Sequence, residues 1–400
     1  MTTYQPYKTT SDPVQGDPIQ GDPIQGVISQ ALDTTLNNEQ VAWLTMASSI
    51  NIATGKWLKA LEAESLNAID VVDGFHKAAF TSGALHTLTQ AISLSLLERA
   101  TRWHASHAQH HIVTLGCSHY PERLKTLSNP PLVLFVIGNV NTLALPQIAI
   151  VGSRRASHQG KRIATEFAEA LASNGVAVTS GLAAGIDAAA HTGGLVSDGG
   201  TIAVMGTGPD IVYPPRNLPL HTEIVKAGGA CITEFFPGVS AKPWHFPRRN
   251  RIIAAISLGT LVVEAKIKSG TLITANLAAD MGREVFAVPG SIFHAYSEGC
   301  HWLIQQGAKL VTCVDDIFDE IVVSAGERKC QSEALSKKSE VNNLATDKLL
   351  DSVDYDITAI DVIAQRCTSP VNEVMASLLE YELRGLVAAV PGGYIKLRGK

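Results

Sequence analysis

Cysteine is sparse in this chain of 400 residues: Cys117, Cys231, Cys300, Cys313, Cys330 and Cys367, with no CxxC pair among them. That scatter argues against a zinc site and against a disulfide framework. Long apolar runs are missing too. No stretch approaches the ~18–20 apolar residues of a membrane span, although 46% of the residues are hydrophobic, enough for a sizeable core. The opening MTTYQPYKTTSDP is polar and does not resemble a secretory signal. The expectation is a cytoplasmic protein with no membrane association. Nucleotide signatures fail as well. GSRRASHQGKR has Arg162 where a P-loop needs Ser or Thr, and GTGPDI, from Gly206, has Pro209 where a dinucleotide fingerprint continues. With no Cys/His set and no carboxylate cluster in the core, neither metal nor cofactor is expected.

The net charge of −5 argues against a generally basic nucleic-acid binder. Its distribution argues otherwise. Between Lys242 and Lys268 six Lys/Arg face Glu264 alone, a local +5 that leaves −10 for the rest. A concentrated basic patch is an electrostatic footprint; an ordinary solvated face is the plain alternative. The densest part is HFPRRNRIIAAIS, with Arg248, Arg249 and Arg251 just after Pro247, a residue that favours helix starts. A helix N-terminus already carries about half a positive charge, so cations there call for an anion.

Along the chain, DPVQGDPIQGDPIQG (Asp12–Gly26) repeats Pro and Gly too often for a helix, and residues 1–36 read as a disordered tail. Residues 37–110 carry Leu44, Trp57, Leu58, Leu61, Leu85, Leu88, Ile92 and Leu96 at helical spacings, a small all-helical (SAM or helix-hairpin-helix-like) domain. At its end His104, His107 and His111 are spaced for one helix face; without a carboxylate or cysteine they read as a solvated helix end rather than a metal site. Over 120–322, apolar strands (QIAIVG, VAVTSG, TIAVMG, ACITEF, LGTLVVEA, EVFAVPG) alternate with helix-length segments. That pattern predicts a doubly wound, Rossmann-like parallel sheet covered on both faces, an α/β core. Residues 323–345 form a polar linker. Residues 346–400 read helix, helix, then two strands around PGG, the order of a winged helix, with Ser369 and Pro370 as N-cap and N1 of the second helix. Its acidic composition suggests protein contact or weak duplex binding.

Ligands of such sheets bind at the strands' carboxyl ends. Three of those ends carry phosphate chemistry: Gly152, Ser153, Arg154 and Arg155; then Arg248 to Arg251; then Lys266, Lys268, Ser269, Gly270 and Thr271. One nucleotide needs one such cradle; several suggest a polynucleotide backbone. Phe246 and Trp244 are candidates for stacking on unpaired bases, with core packing the alternative. Arg249, about 100° round the helix from Arg248, reads as solvated. Asp187 and His191, four apart in SGLAAGIDAAAH, could form an acid/base pair but are better read as loop and cap structure.

VGSRRAS, SGLAAGIDAAAH, AVMGTGPDIVYPPRN, FPRRNRIIAAIS, VVEAKIKSGTLITANLAADMGREVFAVPG and GCHWLIQQGA, in that order, resemble the DNA-processing protein A (DprA/Smf) family. The resemblance covers about 120–320, with the flanking domains similar to family accessories. It implies a non-enzymatic core that binds single-stranded DNA, forms a homodimer, and loads the RecA recombinase during DNA uptake, with single-strand-binding protein a further candidate partner. The DNA contacts it implies are Gly152, Ser153, Arg154, Arg248, Asn250, Arg251 and Lys268. Ala184, at a position often basic in the family, and His301, where Asn is usual, depart from the pattern. The alternative is a Rossmann-like nucleotide N-glycosidase using Glu264 beside Ser269–Thr271, although the glycine-rich order of such hydrolases is absent.

Overall fold

In the computed structural model the described residues are 36–49, 52–64, 66–70, 91–196, 200–321 and 348–397. The repeat, Leu85, Leu88 and the linker at 323–345 lie outside them. The chain forms two compact units, Met1–Ser324 and Ala325–Lys400.

In the first unit, helices α1 (Asn38–Ala47), α2 (Thr54–Glu64) and α3 (Leu94–Ala105) precede strand β1 (His110–Thr114). Asn37 starts α1 with a reciprocal capping box: its carboxamide accepts from the Gln40 N–H at 2.8 Å, and the Gln40 side chain accepts from the Asn37 N–H at 3.0 Å. Then follow β2 (Val133–Gly138), β3 (Gln147–Val151), α4 (His158–Ser173), β4 (Ala177–Ser180), α5 (Ile186–Gly194), β5 (Thr201–Val204), α6 (Leu218–Lys226) and β6 (Ala230–Thr233). The order ends with α7 (His245–Ile256), β7 (Gly259–Val262), α8 (Gly270–Asp280), β8 (Glu284–Ala287), α9 (Glu298–Gln305) and β9 (Lys309–Leu310).

The nine strands form one sheet, ordered β1-β2-β6-β5-β4-β3-β7-β8-β9. From β6 to β9 every pairing is parallel; β1 and β2 join antiparallel at one edge. Period-two alternation divides the strands between two cores. On β3, Ala149 and Val151 face the core beneath α7, α8 and α9, while Ile148 and Ile150 face the one beneath α4 and α5. The chain leaves β3 for β4, β5 and β6, then crosses back to β7 on the other flank of β3. The sheet's switch point therefore lies between β3 and β7, where α/β sheets open a crevice.

Two expectations about the N-terminal part need correction. The sheet begins at His110, ahead of Tyr120, and the helices share one core with it: Trp57, Leu97 and Trp103 pack with Ile112, Phe135 and Phe236. The histidines do not share a helix face, because α3 stops at Ala105; His110 and His111 belong to β1, with the His110 ring stacked on Trp103 at 4.3 Å. Among the described residues no helix is long and apolar enough to cross a membrane.

The second unit is the winged helix: α10 (Ile360–Cys367), α11 (Val371–Leu383) and the hairpin β10 (Val387–Val390) and β11 (Gly393–Lys396) over a core of Ile363, Val374, Leu378 and Tyr381. Pro370, expected at N1, stands at the N-cap, and Ser369 lies one residue before it.

Candidate nucleic-acid interface

The loop leaving β3 is knitted to both neighbours. Ser153 N–H donates to the Glu264 carbonyl at 2.8 Å and its own carbonyl accepts from Ile186 N–H at 3.2 Å. Its hydroxyl accepts from Arg155 N–H at 3.1 Å. Gly152 packs on Ile186 so closely that a Cβ would collide with it, and Gly185, at φ +83°, crosses the Ser153 carbonyl.

The next loop, Ser180–Gly185, is held by the Asp187–His191 pair, which is structural as expected. Asp187 Oδ2 accepts from Gly181 N–H at 3.1 Å and Ala183 N–H at 3.4 Å. His191 Nε2 accepts from Leu182 N–H at 3.2 Å, so Nδ1 carries the proton facing Thr201 Oγ1 at 2.7 Å, and Thr201 in turn donates to the Val178 carbonyl at 2.6 Å. Burial, with Arg249 adding to it, pushes the His191 imidazole down to about 3.

After β7 come Lys266 and Lys268, then Ser269 at the N-cap of α8. The Ser269 hydroxyl is buried and without a hydrogen-bond partner among the described residues. Lys266 Nζ lies 5.0 Å from the Tyr296 ring centre, and Asn250 Nδ2 reaches the Gly270 carbonyl at 3.5 Å, tying α7 to this loop. Glu264 faces away. Its oxygens accept from Ser157 N–H at 2.9 Å and Ser157 Oγ at 2.5 Å, holding the start of α4, and it lines no part of the groove.

Helix α7 carries the main surprise. It begins at His245, so Pro247 is its third residue and the arginines occupy its second turn. Phe246, Arg249, Asn250 and Ile253, spaced i, i+3, i+4 and i+7, line the groove. Arg248 and Arg251 do not. Expected with the other contacts, they meet a protein anion instead: the buried Glu234, whose Oε2 accepts from Arg248 Nη2 at 2.9 Å and Arg251 Nη2 at 2.5 Å. Arg251 Nη1 also donates to the Asn129 carbonyl at 2.8 Å. Arg249, expected to be solvated, is only 4% exposed and donates from Nη1 to the Val204 carbonyl at 2.7 Å. Burial pulls its guanidinium down to about 10, Arg154 adds to that, and Asp187 opposes it.

Gly152, Ser153, Arg154, Phe246, Asn250, Lys266, Lys268, Ser269, Gly270 and Thr271 therefore surround one groove of about 740 Å³. Sequence reasoning missed Arg249, Tyr213, Lys242 and Tyr296, which line it too. Arg249 was recoverable: with Ile252, Ile253 and Ile256 it forms an i, i+3, i+4, i+7 stripe, so it shares the core-facing side of the helix. Tyr213 and Tyr296 come from loops that carry no such period. Six cations (Arg154, Arg155, Lys242, Arg249, Lys266 and Lys268) meet one carboxylate, Asp187, already engaged by loop N–H groups.

A mostly parallel α/β sheet with a cation-lined groove at its switch point, followed in sequence by a winged-helix unit, defines a Rossmann-like protein of two units with a basic groove. Residues 111–322 match the family model described as DNA recombination-mediator protein A, and residues 338–393 match the DprA winged helix domain. The chain is 39% identical over 362 residues to Protein Smf of Escherichia coli (strain K12), covering 87% of this chain and 96% of that one. It is 45% identical over 201 residues to DNA processing protein DprA of Streptococcus pneumoniae, covering 50% and 71%. The X-ray structure of DNA processing protein A from Streptococcus pneumoniae superposes with a TM-score of 0.60 at 34% identity, covering 72% of this chain and 99% of that one. The chain belongs to the DNA recombination-mediator protein A family and is a DNA-processing protein, as the resemblance implied.

Proposed function

We propose that this protein binds single-stranded DNA along the β3/β7 groove, without catalysis, metal or nucleotide, and loads the RecA recombinase on that strand during DNA uptake in the cytoplasm. The observation that carries the reading is the groove itself: six cations from four separate segments converge on a space whose one carboxylate is already satisfied. Gly152, Ser153, Arg154, Asn250, Lys266, Lys268, Ser269, Gly270 and Thr271 are the proposed backbone contacts, with Phe246 on the groove wall. Arg248 and Arg251 support it by fixing α7 to Glu234. The engagement of Glu264 with Ser157 weighs against the glycosidase reading, which needs that carboxylate at the groove.

The protein is proposed to work as a homodimer through the first unit. Ile292 and Phe293, at 78% and 93% exposure, offer an apolar contact. Single-strand-binding protein is the second proposed partner. The test is a strand-exchange assay in which RecA must displace single-strand-binding protein from single-stranded DNA. Acceleration by this chain, lost in Lys268→Ala, supports the reading; no acceleration overturns the loading step.

A further inference from the structure

Trp244 stands beside the groove without a role in it. It precedes α7, and 65% of its surface is exposed. Its neighbours on both sides, Lys242, Pro243 and Phe246, line the groove mouth. The indole is propped rather than loose. The buried His245 ring meets it edge-on at 6.0 Å, and His245 is itself stacked on Phe235 at 4.3 Å. Lys242 Nζ lies 5.5 Å from the indole centre.

Inside the groove the aromatic surface is already occupied. The Phe246 ring is covered by the Arg154 guanidinium at 5.3 Å and met by Tyr213 at 5.5 Å. The interior is therefore suited to phosphates, whereas the Trp244 ring at the lip, with Lys242 over one face, keeps 65% of its surface open to solvent. A base laid on an indole with its phosphate near an ammonium is the ordinary chemistry of single-strand binding, and it tolerates any base because every base has a π face.

We propose that Trp244, with Lys242, is a stacking platform for one unpaired base where the strand leaves the groove on the α7 side. The proposal rests on the single-strand reading above and extends the track beyond the groove. It accounts for a rigid aromatic being held in solvent next to the cations.

The test uses the intact protein and two oligomers of equal length and charge, oligo-dT and an abasic strand. Trp244→Ala lowers affinity for oligo-dT about tenfold, as expected for losing one base–aromatic stack. It leaves abasic affinity and the salt slope unchanged, and Trp244→Phe restores most of the loss. Unchanged oligo-dT binding in Trp244→Ala, or an equal loss on both strands, overturns the platform. Failure of the unaltered protein to bind either oligomer overturns the single-strand reading itself and needs no variant to detect.

Discussion

A carboxylate buried without a cation is strongly destabilising, and Glu234 is met by two. Arg251, the more buried of the pair, also satisfies the part-buried Asn129 carbonyl, so its removal leaves that carbonyl unpaired and Glu234 with Arg248 alone. Arg251→Ala is expected to lower unfolding stability by more than about 1 kcal/mol while leaving the salt slope of DNA binding intact, which denaturant titration beside a binding titration checks. Arg154→Ala and Lys268→Ala should do the reverse. Each removes a groove cation, so each should shallow the log–log salt dependence by about 0.7, one phosphate's worth on a single strand, with little loss of stability. If Arg251→Ala shallowed the slope as they do, the division of the arginines by helix face would be wrong.

At the scale of elements, the parallel strands were legible because a run buried on both faces is nearly continuously apolar, and β3 to β8 fall on the six quoted segments. The glycine- and serine-rich loops were legible for a related reason: close approach and exposed N–H groups demand those residues. What stayed hidden was orientation across space. Nothing near Glu234 in sequence announces that it would turn Arg248 and Arg251 from the groove. Helix α5 yields a pH prediction. His191 lies at about 3 in the fold against its ordinary 6.5. Between those values the unfolded chain binds a proton that the folded chain does not, so stability is complete above about 6.5 and falls as the pH drops toward 3. His104, His110 and His111 are lowered as well, chiefly by burial, and act in the same direction. His191→Asn should flatten the decline between pH 6 and 4 by about 1.4 kcal/mol per pH unit, measured by denaturant unfolding; an unchanged decline would mean that His191 is not buried neutral. In the winged helix, α11 exposes Val371, Met375, Leu379 and Leu383 at four-residue spacing, where a DNA reader would carry cations. A chain truncated after Ser324 should therefore bind single-stranded DNA as tightly as the full chain, and a tenfold loss would assign DNA contact to that unit.

For the whole molecule, the local +5 resolves into two structural arginines on α7, Arg248 and Arg251, and four groove cations, Lys242, Arg249, Lys266 and Lys268, drawn from α7 and the loops beside it, while the rest of the chain is acidic. Light scattering of the same truncated chain should report a dimer if association runs through the first unit; a monomer would move the interface to the winged helix. The central claim is that the groove holds a phosphate backbone rather than a nucleotide or a particular base. It is tested most directly by titrating labelled single strands of several sequences, with chelator present and no ATP, from ~50 to ~200 mM salt. The account predicts similar affinity for every sequence, a steep negative salt slope, and weaker binding to duplex. Binding that ignored salt, required nucleotide or metal, or depended on one base would contradict it.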